Sequence, residues 1–242
     1  KKIGDSTSVG GFLGYLDTNA DYTDNDNKQN LQTWSLTGAV NKELTDELVW
    51  KNRVNYNYGM NESEREITFD NSNRTVKGDF NSWSAGATTE LEYSKKLNDI
   101  VTLRPTAGIA IDYLSQEGYT EKGADELNLK VDSKNSTSTR IGTGIRADVT
   151  AYKGKNSALI VTPRADYSYE LGNPYGGRNI QMAAFEESIM TGEREAGKNY
   201  LNAGLDVEYK TNEKFSLYGG YDMDVLSENA GYNVTAGFKY RF

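Results

Sequence analysis

The sequence predicts an all-β protein: a transmembrane antiparallel up-and-down β-barrel with ten strands, forming one unit over residues 1–242. Three observations carry this expectation. Ten runs alternate apolar and polar residues with a period of two, the connections between them alternate short and long, and aromatic residues sit at both ends of the runs and at the C-terminus.

The runs follow in chain order. Ser8 to about Asp17 is glycine-rich and the least regular, and about Asn30 to Val40 puts Gln32, Trp34, Leu36, Gly38 and Val40 on one face. The third sets Trp50, Val54, Tyr56 and Tyr58 against Lys51, Arg53, Asn55 and Asn57, and the fourth sets Trp83, Ala85, Ala87, Leu91 and Tyr93 against Ser82, Ser84, Glu90 and Glu92. The fifth opposes Leu103, Ile109, Ile111 and Tyr113 to Arg104, Thr106 and Asp112, and the sixth opposes Ile141, Ile145 and Val149 to Arg140, Arg146 and Asp148. Val161, Tyr167 and Tyr169 against Arg164 and Asp166 make the seventh. Leu205 and Val207 against Asp206 and Glu208 make the eighth, and Leu217, Tyr221 and Met223 against Asp222 and Asp224 the ninth. The tenth, from about Tyr232, ends in TAGFKYRF, where Ala236, Phe238, Tyr240 and Phe242 alternate with Thr235, Gly237, Lys239 and Arg241.

Short connections are expected at Asn41–Glu47, Lys95–Asp99, Lys153–Asn156 and Thr211–Glu213, and long polar ones at Thr18–Gln29, Asn61–Lys77, Gln116–Ser136 and Gly172–Lys198. Only Ser227–Gly231 is short where a long one is due. Short turns at one end and long loops at the other are the pattern of outer-membrane barrels.

Composition excludes several classes. Mean hydropathy is -0.72, so no stretch approaches an apolar membrane helix, a test to which alternating strands are blind. Cysteine and histidine are absent, which removes disulfides, thiolate chemistry and any Ser-His-Asp set. A net charge of -8 argues against nucleic acid as a partner. Asp17, Asn19 and Asp21 begin like a calcium loop, but Tyr22 and Lys28 stand where Gly and Glu are required, so an acidic loop in water is the better reading and no metal or cofactor is expected. Carboxylate pairing of Glu90 with Glu92 is the remaining catalytic candidate, and solvated lumen acids account for it better, so no enzyme is expected. The chain starts at Lys1 without a signal peptide, which predicts a processed or excised piece.

Alternation alone fits a soluble barrel with its apolar face inward equally well. Three features favour the membrane. Trp34 and Trp83 open strands after long connections and Trp50 opens one after a short turn, which predicts an aromatic girdle at both rims, the alternative being packed core tryptophans. Pro105 and Pro163 lie a few residues into strands, where a missing ladder donor suits a rim or bulge. The third is the terminal strand. The polar face then lines a lumen, with Arg53, Glu90, Glu92, Arg104, Arg140, Arg146, Arg164, Asp206 and Asp222 as its charged residues.

TAGFKYRF resembles the outer-membrane assembly signal, with Thr235, Gly237, Tyr240 and Phe242 at the matching positions. More specifically, RPTAGIAIDYLSQEGYTEKGADELNLKVDSKNSTSTRIGTGIRA, Arg104 to Ala147, resembles the second half of an autotransporter β-domain, the translocator of type V secretion. LQTWSLTGAV, LVWKNRVNYNYGMNESEREI and FNSWSAGATTELEYS upstream, and LIVTPRADYSYELGN, NAGLDVEYK and FSLYGGYDM downstream, follow in family order. The resemblance implies a barrel that anchors an N-terminal passenger in cis and assists its delivery to the surface. It also implies recognition by the barrel-assembly machinery, long loops outside the cell and a periplasmic C-terminus. The family barrel has twelve strands and a helix in its pore, so the first hairpin and helix are expected to be absent from these 242 residues. A stand-alone ten-stranded porin or adhesin-like barrel is the alternative.

Overall fold

The computed structural model describes residues 2–22, 27–69, 72–174, 176–191, 197–212, 214–225 and 231–240. A two-residue β1 (Lys2–Ile3) turns back at Gly4 (φ +70°) onto β2 (Thr7–Tyr22), which is followed by β3 (Asn27–Glu43) and β4 (Leu48–Phe69). Next come β5 (Ser72–Tyr93), the short β6 (Lys95–Lys96) and β7 (Val101–Gln116). Short β8 (Tyr119–Thr120), a single 3-10 turn at Asp125–Leu127 and β9 (Leu129–Val131) precede β10 (Lys134–Lys153) and β11 (Ala158–Glu170). Short β12 (Asn179–Met182) and β13 (Ser188–Met190) precede β14 (Asn199–Lys210), β15 (Phe215–Asp224) and β16 (Tyr232–Tyr240).

The ten long strands (β2, β3, β4, β5, β7, β10, β11, β14, β15 and β16) correspond to the ten alternating runs, each antiparallel to its predecessor among them. The ladder runs from β1, which covers only Thr7 and Ser8 of β2, to β16, and no pair joins these two ends among the described residues.

Directly opposed residues share a face of a sheet, so the register shows which side each run presents. Leu13, Leu36, Tyr56, Ala85 and Tyr113 form one row across five strands, and Val101, Val149, Val161 and Val207 another across four. Burial on the two faces is inverted relative to a soluble protein. Leu13 and Phe238 are each 68% exposed, while Asn61, Glu92, Thr106, Glu170 and Ser216, all on the polar face, are buried. Apolar-out and polar-in is the arrangement that lipid selects, since no water is present to reward the reverse. Trp34, Trp50 and Trp83 are all exposed, which removes the packed-core alternative.

Side-chain caps build the short turns at one end. Thr45 Oγ1 accepts from the backbone N–H of Glu47 and Leu48, Asn98 Oδ1 from Ile100 and Val101, and Asn212 Oδ1 from Lys214 and Phe215. These Asx- and Ser/Thr-type turns supply acceptors for the backbone N–H donors that a tight reversal leaves unmet. Pro105 and Pro163 each interrupt the ladder on one side. The β5–β7 pairs stop at Glu92↔Thr106 and resume at Lys95↔Leu103, skipping Pro105; the β10–β11 pairs skip from Arg146↔Arg164 to Val149↔Val161, stepping over Pro163.

The opposite end differs from expectation. Thr18–Gln29 and Asn61–Lys77 are mostly strand, since β2–β3 pairs out to Tyr22↔Asn27 and β4–β5 out to Phe69↔Ser72. Trp34 and Trp83 therefore lie inside their strands rather than opening them. Gln116–Ser136 and Gly172–Lys198 are not plain loops either. They hold a four-stranded sheet, ordered β13-β12-β9-β8, that lies against the protruding part of β5. Beyond the apolar band one face of β5 carries Thr75, Lys77 and Asp79 while the cap buries Val76 and Phe80 on the other, so the alternation that reveals the runs is reversed there rather than continued.

This cap contains the buried apolar side chains of the described residues: Val76, Phe80, Ala124 and Val131. Phe80 stacks on Tyr119 at 4.6 Å, and Lys77 and Lys122 exchange backbone hydrogen bonds at 3.0 and 2.8 Å. Gly123 (φ +123°) sits so close to the Thr75 carbonyl that a Cβ would collide with it. Arg65 donates twice to Glu121, from Nε at 3.2 Å and Nη2 at 2.6 Å, and Glu121 also accepts from the Leu129 N–H at 2.9 Å.

Candidate functional site

The polar face is a connected array of ion pairs running across strands. At its centre Glu92, with a side chain only 5% exposed, lies 2.5 Å from Lys51 Nζ, 3.9 Å from Arg104 and 3.8 Å from Arg146. Three cations from three strands offset the desolvation of one carboxylate. Arg104 continues to Asp148 at 2.5 Å, Arg146 to Asp166 at 4.0 Å, and Lys51 to Glu90 at 3.9 Å. Arg140 pairs with Asp112 at 3.2 Å, and Arg164 binds Asp206 through Nε at 3.0 Å and Asp222 through Nη2. Arg53 faces the same side, opposite Ala39 and Thr88, and has no ion pair among the described residues.

Glycine makes these bridges possible. Asp112, Asp166, Asp206 and Asp222 are each directly opposed across the ladder by a glycine: Gly86, Gly144, Gly220 and Gly204. A Cβ on Gly204 would lie 2.5 Å from Asp222 Oδ1 and 2.9 Å from Arg164 Nε, so the bare glycine is the floor across which Arg164 on β11 reaches Asp222 on β15. The charges that the sequence predicts to line the lumen do not include Lys51, Asp112, Asp148 or Asp166, and the opposing glycines are missed. Aspartates spaced along separate runs carry no sign of what opposes them until register is known.

Of the remaining candidates, Glu90 and Glu92 both converge on Lys51, a structural pairing. Asp17 is bonded at 3.5 Å and Asn19 at 2.7 Å by the Asn30 side-chain amide, inside a regular hairpin rather than a calcium loop. On β16, Thr235 and Gly237 lie on the polar face opposite Gly220 and Tyr218, and Tyr240 lies on the apolar face opposite Phe215. Phe242 lies outside the described residues.

On the apolar face Tyr15, Trp34, Tyr58 and Trp83 are consecutive cross-strand neighbours, with Tyr15 and Trp34 ring centroids 5.0 Å apart. Trp50, Tyr93 and Tyr209 stand toward the short-turn end. From Trp50 to Tyr58 and from Trp83 to Tyr93 the strands rise about 27 and 34 Å, or roughly 21 and 26 Å of height at the usual barrel tilt. Those heights match the apolar band of an outer-membrane barrel.

An exposed apolar band over an ion-paired inner face defines an outer-membrane β-domain. The family model for the autotransporter beta-domain matches residues 1–222, and the chain belongs to that family. Among solved structures it is similar to the translocator domain of the autotransporter NalP from Neisseria meningitidis, with a TM-score of 0.77 at 17% identity, covering 100% of this chain and 76% of that one. The β domain of the Bordetella autotransporter BrkA matches with a TM-score of 0.61 at 18% identity over 98% and 83% of the two chains. At these identities the likeness is one of fold. An extracellular serine protease of Serratia marcescens is 27% identical over 149 residues, and BigA of Salmonella typhimurium 24% over 172. These stretches are 60% and 69% of this chain but only 14% and 8% of the relatives' lengths.

Proposed function

We propose that this chain is the translocator of an autotransporter: it anchors an N-terminal passenger in cis to the outer membrane and assists its delivery to the cell surface. The observation that carries the reading is the family match along residues 1–222. The inner face supports it physically. Apart from Arg53, its charges are tied to one another across strands, so they keep a wall hydrated without offering strong sites at which a passing polypeptide would stall. Arg53, Glu90, Glu92, Arg104, Arg140, Arg146, Arg164, Asp206 and Asp222 line that wall in this reading. Trp34 and Trp83 hold one membrane interface and Trp50 the other. The capped end faces outward and the C-terminus lies in the periplasm.

The β-domain itself carries no catalysis in this reading; any enzyme activity belongs to the passenger, as the protease relative suggests. Thr235, Gly237, Tyr240 and Phe242 form the signal read by the assembly machinery, on a strand that lipid requires to be paired. The test joins a protease-sensitive reporter upstream of the chain and follows its digestion on intact cells. Surface exposure of the reporter that falls with Phe242→Ala, and much less with Phe12→Ala, is the expected result. Equal exposure for both variants overturns the signal, and a reporter retained inside by the unaltered chain overturns the translocator.

A further inference from the structure

The apolar face is broken at Asn52. It lies between Trp50 and Val54 on the lipid side of β4, opposite Val40 on β3 and Thr89 on β5, and it is the residue that interrupts the alternation of the third run. Three side chains are chained there. Trp50 Nε1–H donates to Thr89 Oγ1 at 2.7 Å, and the Thr89 hydroxyl donates to Asn52 Oδ1 at 3.0 Å. Indole nitrogen can only donate, so the threonine oxygen is its acceptor and the hydroxyl proton goes on to the amide oxygen. The chain of bonds therefore ends in the Asn52 amide N–H donors, which meet no acceptor among the described residues. Beside them, Lys42 is the direct cross-strand partner of Trp50 on the same face, exposed and without an ion pair among the described residues.

A bare amide against hydrocarbon is costly, because nothing in the lipid interior can accept from it. The cost disappears if the lipid itself supplies the acceptor. In a glycerophospholipid the phosphate lies nearer water and the ester carbonyls a little deeper. The protein presents its donors in the same order: the Lys42 ammonium at the level of Trp50, and the Asn52 amide two residues, about 7 Å along the strand, further in. We infer that Lys42, Trp50 and Asn52 form a site for one anionic glycerophospholipid. Lys42 holds the phosphodiester, Asn52 an ester carbonyl, and the indole covers the glycerol between them. The site belongs to the leaflet at the short-turn end, away from the cap, which selects a glycerophospholipid over the phosphates of a glycolipid at the opposite rim. The inference rests on the apolar face being lipid-facing, and the choice of leaflet on the outward orientation of the capped end proposed above.

The test is native mass spectrometry of the 242-residue chain, folded in detergent and equilibrated with equal amounts of phosphatidylglycerol and phosphatidylethanolamine. The expected result is one retained phosphatidylglycerol in preference to phosphatidylethanolamine. Lys42→Gln should reduce its retention about tenfold, as loss of one charge-assisted hydrogen bond would. Asn52→Val, which leaves Thr89 in place as the acceptor of the Trp50 indole N–H, should do the same while the heat-modifiable gel shift of the folded chain persists. Equal retention in the variants, no preference for the anionic lipid, or displacement by added inorganic phosphate would each overturn the site. Lipid retained equally by all variants leaves the lipid-facing reading intact, whereas a chain that retains no lipid and shows no gel shift refutes that reading as well.

Discussion

Replacing Glu92 by Gln removes a buried carboxylate from three cations at once. Severing a buried ion pair outright costs about 3–5 kcal/mol. Here each cation keeps a second partner: Lys51 keeps Glu90 at 3.9 Å, Arg104 keeps Asp148 at 2.5 Å and Arg146 keeps Asp166 at 4.0 Å. The cation side chains are 29–39% exposed, so water on the inner face recovers part of the loss. A destabilisation of about 2 kcal/mol follows, equivalent to roughly 4–8 °C in the unfolding midpoint of a chain this size. The assay is the fraction of compact band on an unheated detergent gel as the preheating temperature rises. Glu90→Gln is the control: among the described residues its carboxylate meets only Lys51, and at 3.9 Å, so a cost under about 0.5 kcal/mol is expected. If Glu92→Gln leaves the midpoint unmoved, or both variants shift it equally, Glu92 is not the centre of the array.

Three further outcomes follow from the geometry. Gly204→Leu places a side chain where Arg164 crosses to Asp222 and should cost about 1–3 kcal/mol; in combination with Arg164→Ala the loss should be clearly less than additive, measured by the same midpoint. Arg65→Leu strands the buried Glu121 and should speed proteolytic cleavage within residues 117–133 by about tenfold, while the barrel midpoint moves by less than about 1 °C. The contact with Lys77 at 2.8 Å holds the Glu64 carboxyl below its ordinary value of 4.5, and Glu64 holds Lys77 above its ordinary 10.5. The pair's contribution is therefore complete between those two values. It is lost as pH falls through the lowered Glu64 value or rises through the raised Lys77 value, which carboxyl and ammonium NMR titrations of the folded chain would register.

The strands were legible in the sequence only between the two aromatic levels, because only there does a strand meet lipid on one face and water on the other. Asn61 to Phe69 continues β4 without a break, yet ESEREI reads as loop because both of its sides carry mostly polar residues, among them Arg65, which is tied to Glu121 of the cap. The small sheet of the cap left no periodic trace because its strands are too short; β8 and β13 are two and three residues long. The charged wall was legible residue by residue, since a mid-strand arginine opposite an apolar row is conspicuous. Its connectivity was not. Which carboxylate meets which guanidinium depends on register between runs, and the enabling feature, a glycine opposite each of four aspartates, is visible only across the ladder. Asn52 and Thr89 were passed over because each looks like an isolated lapse in its own run, and only pairing makes them partners.

The small sheet also constrains the order in which the molecule can be completed. Its central contact pairs Val131 with Ile180, and between them in the chain lie β10 and β11, one full excursion across the membrane and back. The cap therefore cannot close until that hairpin has been threaded and both flanking connections have emerged on the same side. Pairing of β9 with β12 is thus a late event that can occur only after the β10–β11 hairpin is in place, whereas the contacts of Val76 and Phe80 with the segment around Tyr119 and Gly123 need no later strand. A probe of the Val131–Ile180 contact would act as a timer, showing when the central strands have reached their final places.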